Sequence, residues 1–224
     1  MTAVLPPSPP SPPSPRTRIR RIAQNAHYER ATLHAVIDAA YLCHIAFGDD
    51  KGVHCIPTAC WREGEHLYVH GSNGGRLVKM LAHGAQACVT ISHLDGLVLA
   101  RTAFNHSMNY RSAMIYGVFE RLDDEAAKRA SMAAFMDKIA PGRQQEVRVG
   151  NDKEFDATTI LRISLDEAAC KTRKGGPNDE PEELALPVWA GELPFVVRRG
   201  TPVRHAACTV AEPGYVAGWA AADA

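Results

Sequence analysis

The sequence lacks any apolar run of about 18 residues, the length a helix needs to cross a bilayer, so no membrane partner is expected. It also lacks a C-x-x-C pair. Its six cysteines (43, 55, 60, 88, 170 and 208) are scattered, and Cys55 and Cys60 have no histidine at finger-like spacing. That argues against a zinc site or structural disulfides; several of the thiols sit in apolar strand patterns, as small buried hydrophobes do. An excess of either charge is missing too, since Lys and Arg total 25 and so do Asp and Glu. A nucleic-acid protein usually carries a basic patch, so no nucleic-acid partner is expected. The G-x-S-x-G elbow and the G-K-[ST] ending of a Walker loop are absent, and no nucleophilic arrangement stands out. Met1–Pro15 lacks the basic-then-apolar order of a signal peptide, which together with the missing spans points to the cytoplasm.

What is there is enough for a packed domain: 224 residues, 46% hydrophobic and 22% charged. The division expected is a disordered Pro/Ser-rich arm over 1–20, a folded domain over 21–195 and a poorly defined tail over 196–224. Leu33, Val36, Ile37 and Ala40 recur at helical spacing and predict a short amphipathic helix over 30–40. The period then changes. Tyr41–Phe47, Val53–Trp61 and His66–His70 read as strands joined by turns too short for parallel crossovers, hence an antiparallel meander. A glycine-rich loop, Gly71–Arg76, leads into a short helix ending near Gly84. Ala87–Ser92 and Leu97–Ala100 read as a hairpin around Asp95-Gly96, and Ala113–Phe119 as the next strand. Asp123 is the expected N-cap of a helix over 124–139, and Thr158–Leu165 the final strand. Many short strands and few helices predict a mainly β fold, a small barrel whose rim is a natural place for a ligand.

The richest segment is Phe104-Asn105-His106-Ser107-Met108-Asn109-Tyr110-Arg111-Ser112, where seven polar or charged groups lie between apolar strands. An unpaired buried polar group costs roughly 1–3 kcal/mol, so such a run suits holding something. Arg111 offers a bidentate fork for phosphate, Asn109 and Ser112 neutral hydrogen bonds, Tyr110 an aromatic face. A second group is His70 to Lys79. A glycine-rich loop feeding a helix exposes backbone N–H groups to an anion, with Ser72, Arg76 and Lys79 adding a hydroxyl and two cations; a plain glycine-rich turn reads the same residues without a ligand. Lys171, Arg173 and Trp189 form a third, weaker group, which a basic turn and a core Trp also explain. His66 and His70 are four apart, but on a strand that separates them by roughly 13 Å, too far to share an ion; no metal site is expected.

Taken in order, His70-Gly71-Ser72-x-x-Gly75-Arg76, then Phe104 to Ser112, Gly117, Lys171-x-Arg173-x-Gly175-x-Pro177-x-Asp179 and Trp189-Ala190-Gly191 resemble one family. It is the flavin-nucleotide-binding branch of the pyridoxamine 5′-phosphate oxidase-like superfamily, which includes the nitroimidazole-resistance reductases. The resemblance covers roughly residues 20–195. It implies an FMN-binding split β-barrel that forms a homodimer with FMN between subunits. By that resemblance Ser72, Gly75 and Arg76 lie near the FMN phosphate, and Asn109, Tyr110, Arg111 and Ser112 along the ribityl chain, phosphate or ring edge, from either subunit. Lys171 and Trp189 close the far end, and His70 lies close to the flavin ring. Many members have Arg-Lys where this chain has Arg76-Leu77; Lys79 stands one turn on. The substrate-phosphate arrangement of true pyridoxamine phosphate oxidase has no counterpart here, which argues against vitamin synthesis.

The function this implies is an FMN-dependent oxidoreductase that reduces a small aromatic or electron-poor compound with NADH or NADPH as donor. The cofactor carries the redox chemistry, with His70 or Tyr110 relaying a proton. The alternatives are a non-catalytic flavin-binding module, or a split barrel that binds haem through a histidine, or a deazaflavin.

Overall fold

The computed structural model describes residues 11–221, as two compact units. The first runs to Leu94 and resumes over Asn109–Gly175. The second combines Asp95–Met108 with the chain from Gly176 onward. The division thus falls inside the stretch expected as one domain.

The elements in chain order are β1 (Ala26–His27), α1 (Arg30–Asp38), β2 (Leu42–Asp49), β3 (Gly52–Glu63), β4 (His66–Ser72), α2 (Arg76–Ala82), β5 (Gln86–Leu99), β6 (Ser107–Val118), β7 (Glu120–Arg121), α3 (Glu125–Ile139), α4 (Asp152–Asp156), β8 (Thr158–Ser164), β9 (Ala168–Arg173), β10 (Gly191–Pro194) and α5 (Gly214–Ala221). The strands follow the order β1-β9-β6-β5-β2-β3-β4-β8-β7, with β10 on the end of β5. Every described pairing is antiparallel. The sheet curls into the expected split β-barrel. Among the described residues no helix is long and apolar enough to cross a membrane.

The first unit's core follows from alternation. Ile45 on β2, Leu67 and Val69 on β4, Val89 and Ile91 on β5, Ile115 on β6 and Leu161 and Ile163 on β8 converge inside the curl. Leu33, Val36 and Ile37 of α1 complete that core, as their helical spacing predicts. On the opposite face of β3 and β4, Trp61 and Tyr68 pack with Ile160 and with Phe135 of α3. β4 is therefore buried on both sides, which is why His66–His70 shows no clean polar alternation. The buried Trp61 Nε1 donates to Glu63 Oε1 at 2.9 Å and to Ser131 Oγ at 3.2 Å, so its polar edge is satisfied.

Four expectations change. Ala87–Ser92 and Leu97–Ala100 do not form a hairpin; one strand, β5, runs through Asp95-Gly96. Gly96 serves a close approach instead of a turn, since a Cβ there would stand 2.7 Å from the Leu193 carbonyl oxygen of β10. The cap of α3 is Asp124, whose carboxylate accepts from Ala127 N at 2.7 Å, while Asp123 pairs with Arg121. β8 is followed at once by β9, so Thr158–Leu165 is not the last strand; small residues, Ala168, Ala169 and Cys170, made β9 hard to read. The arm expected over 1–20 lies partly outside the described residues. Within it Thr17 is buried, bonding Ser14 through its hydroxyl, and Arg16 pairs with Glu167 and stacks over Tyr116.

Candidate cofactor site

Strand β6 carries the polar run from rim to core. Asn109, Arg111, Ala113 and Ile115 alternate onto the inner face, and Tyr110, Ser112 and Met114 onto the outer one. Burial deepens along the inner row, from half-buried Arg111 to fully buried Ile115. Asn109 is itself buried, and a buried amide needs partners. Its Oδ1 accepts from Arg173 Nη1 at 2.6 Å, and the same nitrogen donates to the Gly175 carbonyl at 2.8 Å.

Beside β6 runs β9, with Tyr110 opposite Arg173, Arg111 opposite Thr172 and Ser112 opposite Lys171. Three consecutive rungs therefore carry one cation each: Arg111 on the inner face, Lys171 and Arg173 on the outer. Ser112 Oγ donates to the Lys171 carbonyl at 3.1 Å, Lys171 Nζ to the Arg21 carbonyl at 3.0 Å, and the Thr172 hydroxyl meets His27 Nε2 at 2.8 Å. On the outer face Lys171 and Arg173 therefore stand beside Ser112 and Tyr110, two cations next to neutral hydrogen-bonding groups, a surface for an anion with a polar tail.

A second group lies at the start of α2, where the glycine-rich loop differs from expectation. Asn73 N donates to the Ala157 carbonyl, Gly75 N to the Ser72 carbonyl and Gly74 N to Ser72 Oγ. The loop amides are spent internally instead of facing an anion. Arg76 is committed as well: its Nη2 lies 2.5 Å from Asp49 Oδ2 and 2.7 Å from His54 Nε2. His54 Nε2 in turn lies 2.8 Å from Asp49 Oδ1. The Arg76 guanidinium, and after it His54, holds the Asp49 carboxyl well below the ordinary carboxylate range. Lys79 stands one turn into α2 with its side chain exposed.

His70 is set apart from both groups. It shares a face of β4 with Tyr68, its ring centroid 4.7 Å from that of Phe135 and 5.8 Å from that of Trp61. Burial lowers its pKa, so the imidazole is neutral at pH 7. Its Nδ1 is buried with no hydrogen-bond partner among the described residues.

In the second unit, Trp189 is 68% exposed and packs on Gly191, where a Cβ would approach the indole to 2.9 Å. There too Arg101 Nη1 pairs with the buried Asp179 at 2.9 Å, and His106 Nδ1 meets the Thr102 carbonyl at 2.9 Å. The structure thus gathers Asn109, Tyr110, Arg111, Ser112 and Lys171 on one pair of strands, and Ser72, Gly75, Arg76 and Lys79 around one helix start. Sequence reasoning missed Asp49 and His54. The only signal for Asp49 was an acidic turn before a glycine, which reads equally well as a hairpin end. Among the described residues no set of three His, Cys, Asp or Glu is placed to hold a metal ion.

The model of the family described as pyridoxamine 5′-phosphate oxidase matches residues 29–172. The chain belongs to this family. As a member of it, the chain is also similar to solved structures over most of its length. It is 38% identical to the flavocytochrome Anf3 from Azotobacter vinelandii, across 94% of this chain and 99% of that one, with a TM-score of 0.88. It is 33% identical to the FAD and haem binding protein from Mycobacterium smegmatis, across 88% of this chain and 97% of that one, with a TM-score of 0.83. A Bacteroides thetaiotaomicron protein assigned to 5-nitroimidazole antibiotic resistance is 22% identical across 65% of this chain and 85% of that one, with a TM-score of 0.55, a likeness of fold. No curated protein matches. The family match ends at Thr172, whereas the likeness to Anf3 is too extensive to end there.

Proposed function

We propose that the chain is a flavin-binding redox protein that also holds haem. The observation that carries this reading is its end-to-end likeness, above 30% identity, to one flavocytochrome and one protein that binds FAD and haem. The site fits both groups. Lys171 and Arg173 share the outer face of β6 and β9 with Tyr110 and Ser112, a set that suits a flavin phosphate, polar chain and ring edge, while Arg111 and Asn109 offer a cation and an amide on the inner face. His70 suits haem iron, being neutral, set among aromatic rings and with one nitrogen unspent. When bound, flavin supplies hydride and electron transfer, and haem single-electron transfer.

The chain's own residues bind and orient. Arg173 fixes the orientation of the Asn109 amide by donating to its Oδ1. With His70 assigned to iron, Tyr110 is the group that carries a proton at the rim. FMN is the flavin the family implies; FAD contains the same phosphate and ring, so either meets the same cations. NADH or NADPH as donor and a small electron-poor aromatic as acceptor complete the proposal. So does a homodimer with flavin between subunits, the α2 group coming from one copy and the β6 group from the other.

The test is the visible spectrum of the protein as purified, with mass spectrometry of its acid extract. Flavin absorption plus a Soret band is expected, with His70→Ala abolishing the Soret band and leaving the flavin. Flavin alone removes the haem half of the proposal; a chain that takes up neither FMN, FAD nor haemin sinks it. Oxidation of NADH or NADPH separates an oxidoreductase from a binding module.

A further inference from the structure

A cavity of about 290 Å3 lies between α3 and the segment that follows it, sharing no residue with the groups assigned to flavin or haem. Met132, Ala133 and Met136 of α3 line one side, and Val147, Val149 and Phe155 the other. Apolar walls in water normally collapse onto each other. Here hydrogen-bonded struts hold them apart. Gln144 Nε2 donates to the Ala133 carbonyl at 2.9 Å and to Asp137 Oδ1 at 2.7 Å. Arg129 Nη2 reaches Asp152 Oδ1 at 2.7 Å, and Lys128 Nζ bonds the Phe155 carbonyl. A capping box between Asn151 and Glu154 fixes the start of α4. The segment is thus pinned to α3 at both ends and open in the middle.

The charges at the mouth select the occupant. Arg129 is paired with Glu125 and Asp152, and Arg148 with Glu154 at 2.7 and 3.0 Å. Two cations facing three bonded carboxylates leave no charge to spare for an anion. Arg129 also lies 4.2 Å over the Phe155 ring, a wall instead of a hook. Met132 and Met136, one turn apart, present adaptable, polarisable thioethers that favour aromatic rings. The volume is at the small end for a ligand pocket, roughly 300 Å3 and upward.

We infer that this cavity is a second ligand site, for an uncharged aromatic molecule of two or three rings. It stands independently of the flavin and haem reading. The test uses the chain as purified and two dyes that differ by one charged group, N-phenylnaphthylamine and anilinonaphthalene sulfonate. The neutral dye binds saturably, one per chain, and about tenfold or more tighter than the sulfonate. Ala133→Trp, which fills the cavity, weakens the neutral dye about tenfold or more while the circular dichroism and visible spectra stay as in the parent. Should Ala133→Trp not fold, Val147→Trp at the mouth decides. Three results overturn the proposal: no saturable binding of the neutral dye, equal binding of the sulfonate, or unchanged binding in a folded, cavity-filled variant.

Discussion

Asp49 shows how much one side chain does in this fold. Its carboxylate sits at the end of the β2–β3 hairpin, 8% exposed, accepting from Lys51 N at 2.8 Å and meeting His54 and Arg76. It therefore ties a turn, a strand and the first residue of α2 together. Because Arg76, and next His54, holds its pKa below that of an unfolded aspartate, the unfolded chain takes up the proton more readily. Asp49 then stabilises the fold above about pH 4, and that contribution is lost as pH falls further. Asp49→Asn is expected to lower the melting temperature by a few degrees at neutral pH, with the gap to the parent closing below about pH 4. Melts across that range check it, and a gap that stays constant in acid shows that Asp49 is not charged in this role.

Among the elements, β5 is where sequence and structure part most instructively. Asp95-Gly96 is a strong turn signal, yet the glycine is there because β10 approaches. Gly191 to Pro194 pair with Leu99 to Gly96 in antiparallel register, and a methyl group at Gly96 would collide with the Leu193 carbonyl. Gly96→Ala is expected to cost about 1–3 kcal/mol of strain and to free β10. Limited proteolysis should then cut after Pro194 faster than in the parent, and an unchanged cleavage rate would refute this account of the glycine. The meander, α1 and α2 were legible because each carries a periodic apolar face within one short window, and α3 because an aspartate cap precedes it and Pro141-Gly142 stops it. What long-range pairing decides was not. Asp49 and Arg76 are 27 positions apart, and Arg173 and Asn109 are 64 apart. The rim from Asn109 to Ser112 could be read from its polarity against an apolar strand, but not that Arg173 would hold Asn109. Of the open amides expected of the glycine-rich loop, that of Asn73 was lost to the same kind of distant partner, the Ala157 carbonyl, and those of Gly74 and Gly75 to Ser72 within the loop.

For the whole molecule, the second unit poses the question of what covers its apolar surface. Leu193, Phe195, Val196 and Val197 are 51, 43, 78 and 97% exposed. Four large apolar side chains within five positions are more than the scattered exposure of an ordinary surface, and such patches mark interfaces. The occupant that fits the proposed assembly is a second copy of this chain, since the flavin is proposed to lie between subunits. Val197→Asp places a carboxylate in that patch. An unpaired charge forced into an apolar interface weakens it by more than about 1.4 kcal/mol, a factor of about ten in the dimer constant. The parent is expected to sediment at twice the chain mass, and Val197→Asp mostly as a monomer. Because half of the proposed cradle comes from the partner, the monomer should also release its flavin, which gel filtration would recover in the small-molecule fraction. A dimer untouched by Val197→Asp moves the interface off this patch. A monomer that keeps its flavin breaks the link between assembly and cofactor, and leaves the β6–β9 rim to hold the flavin alone.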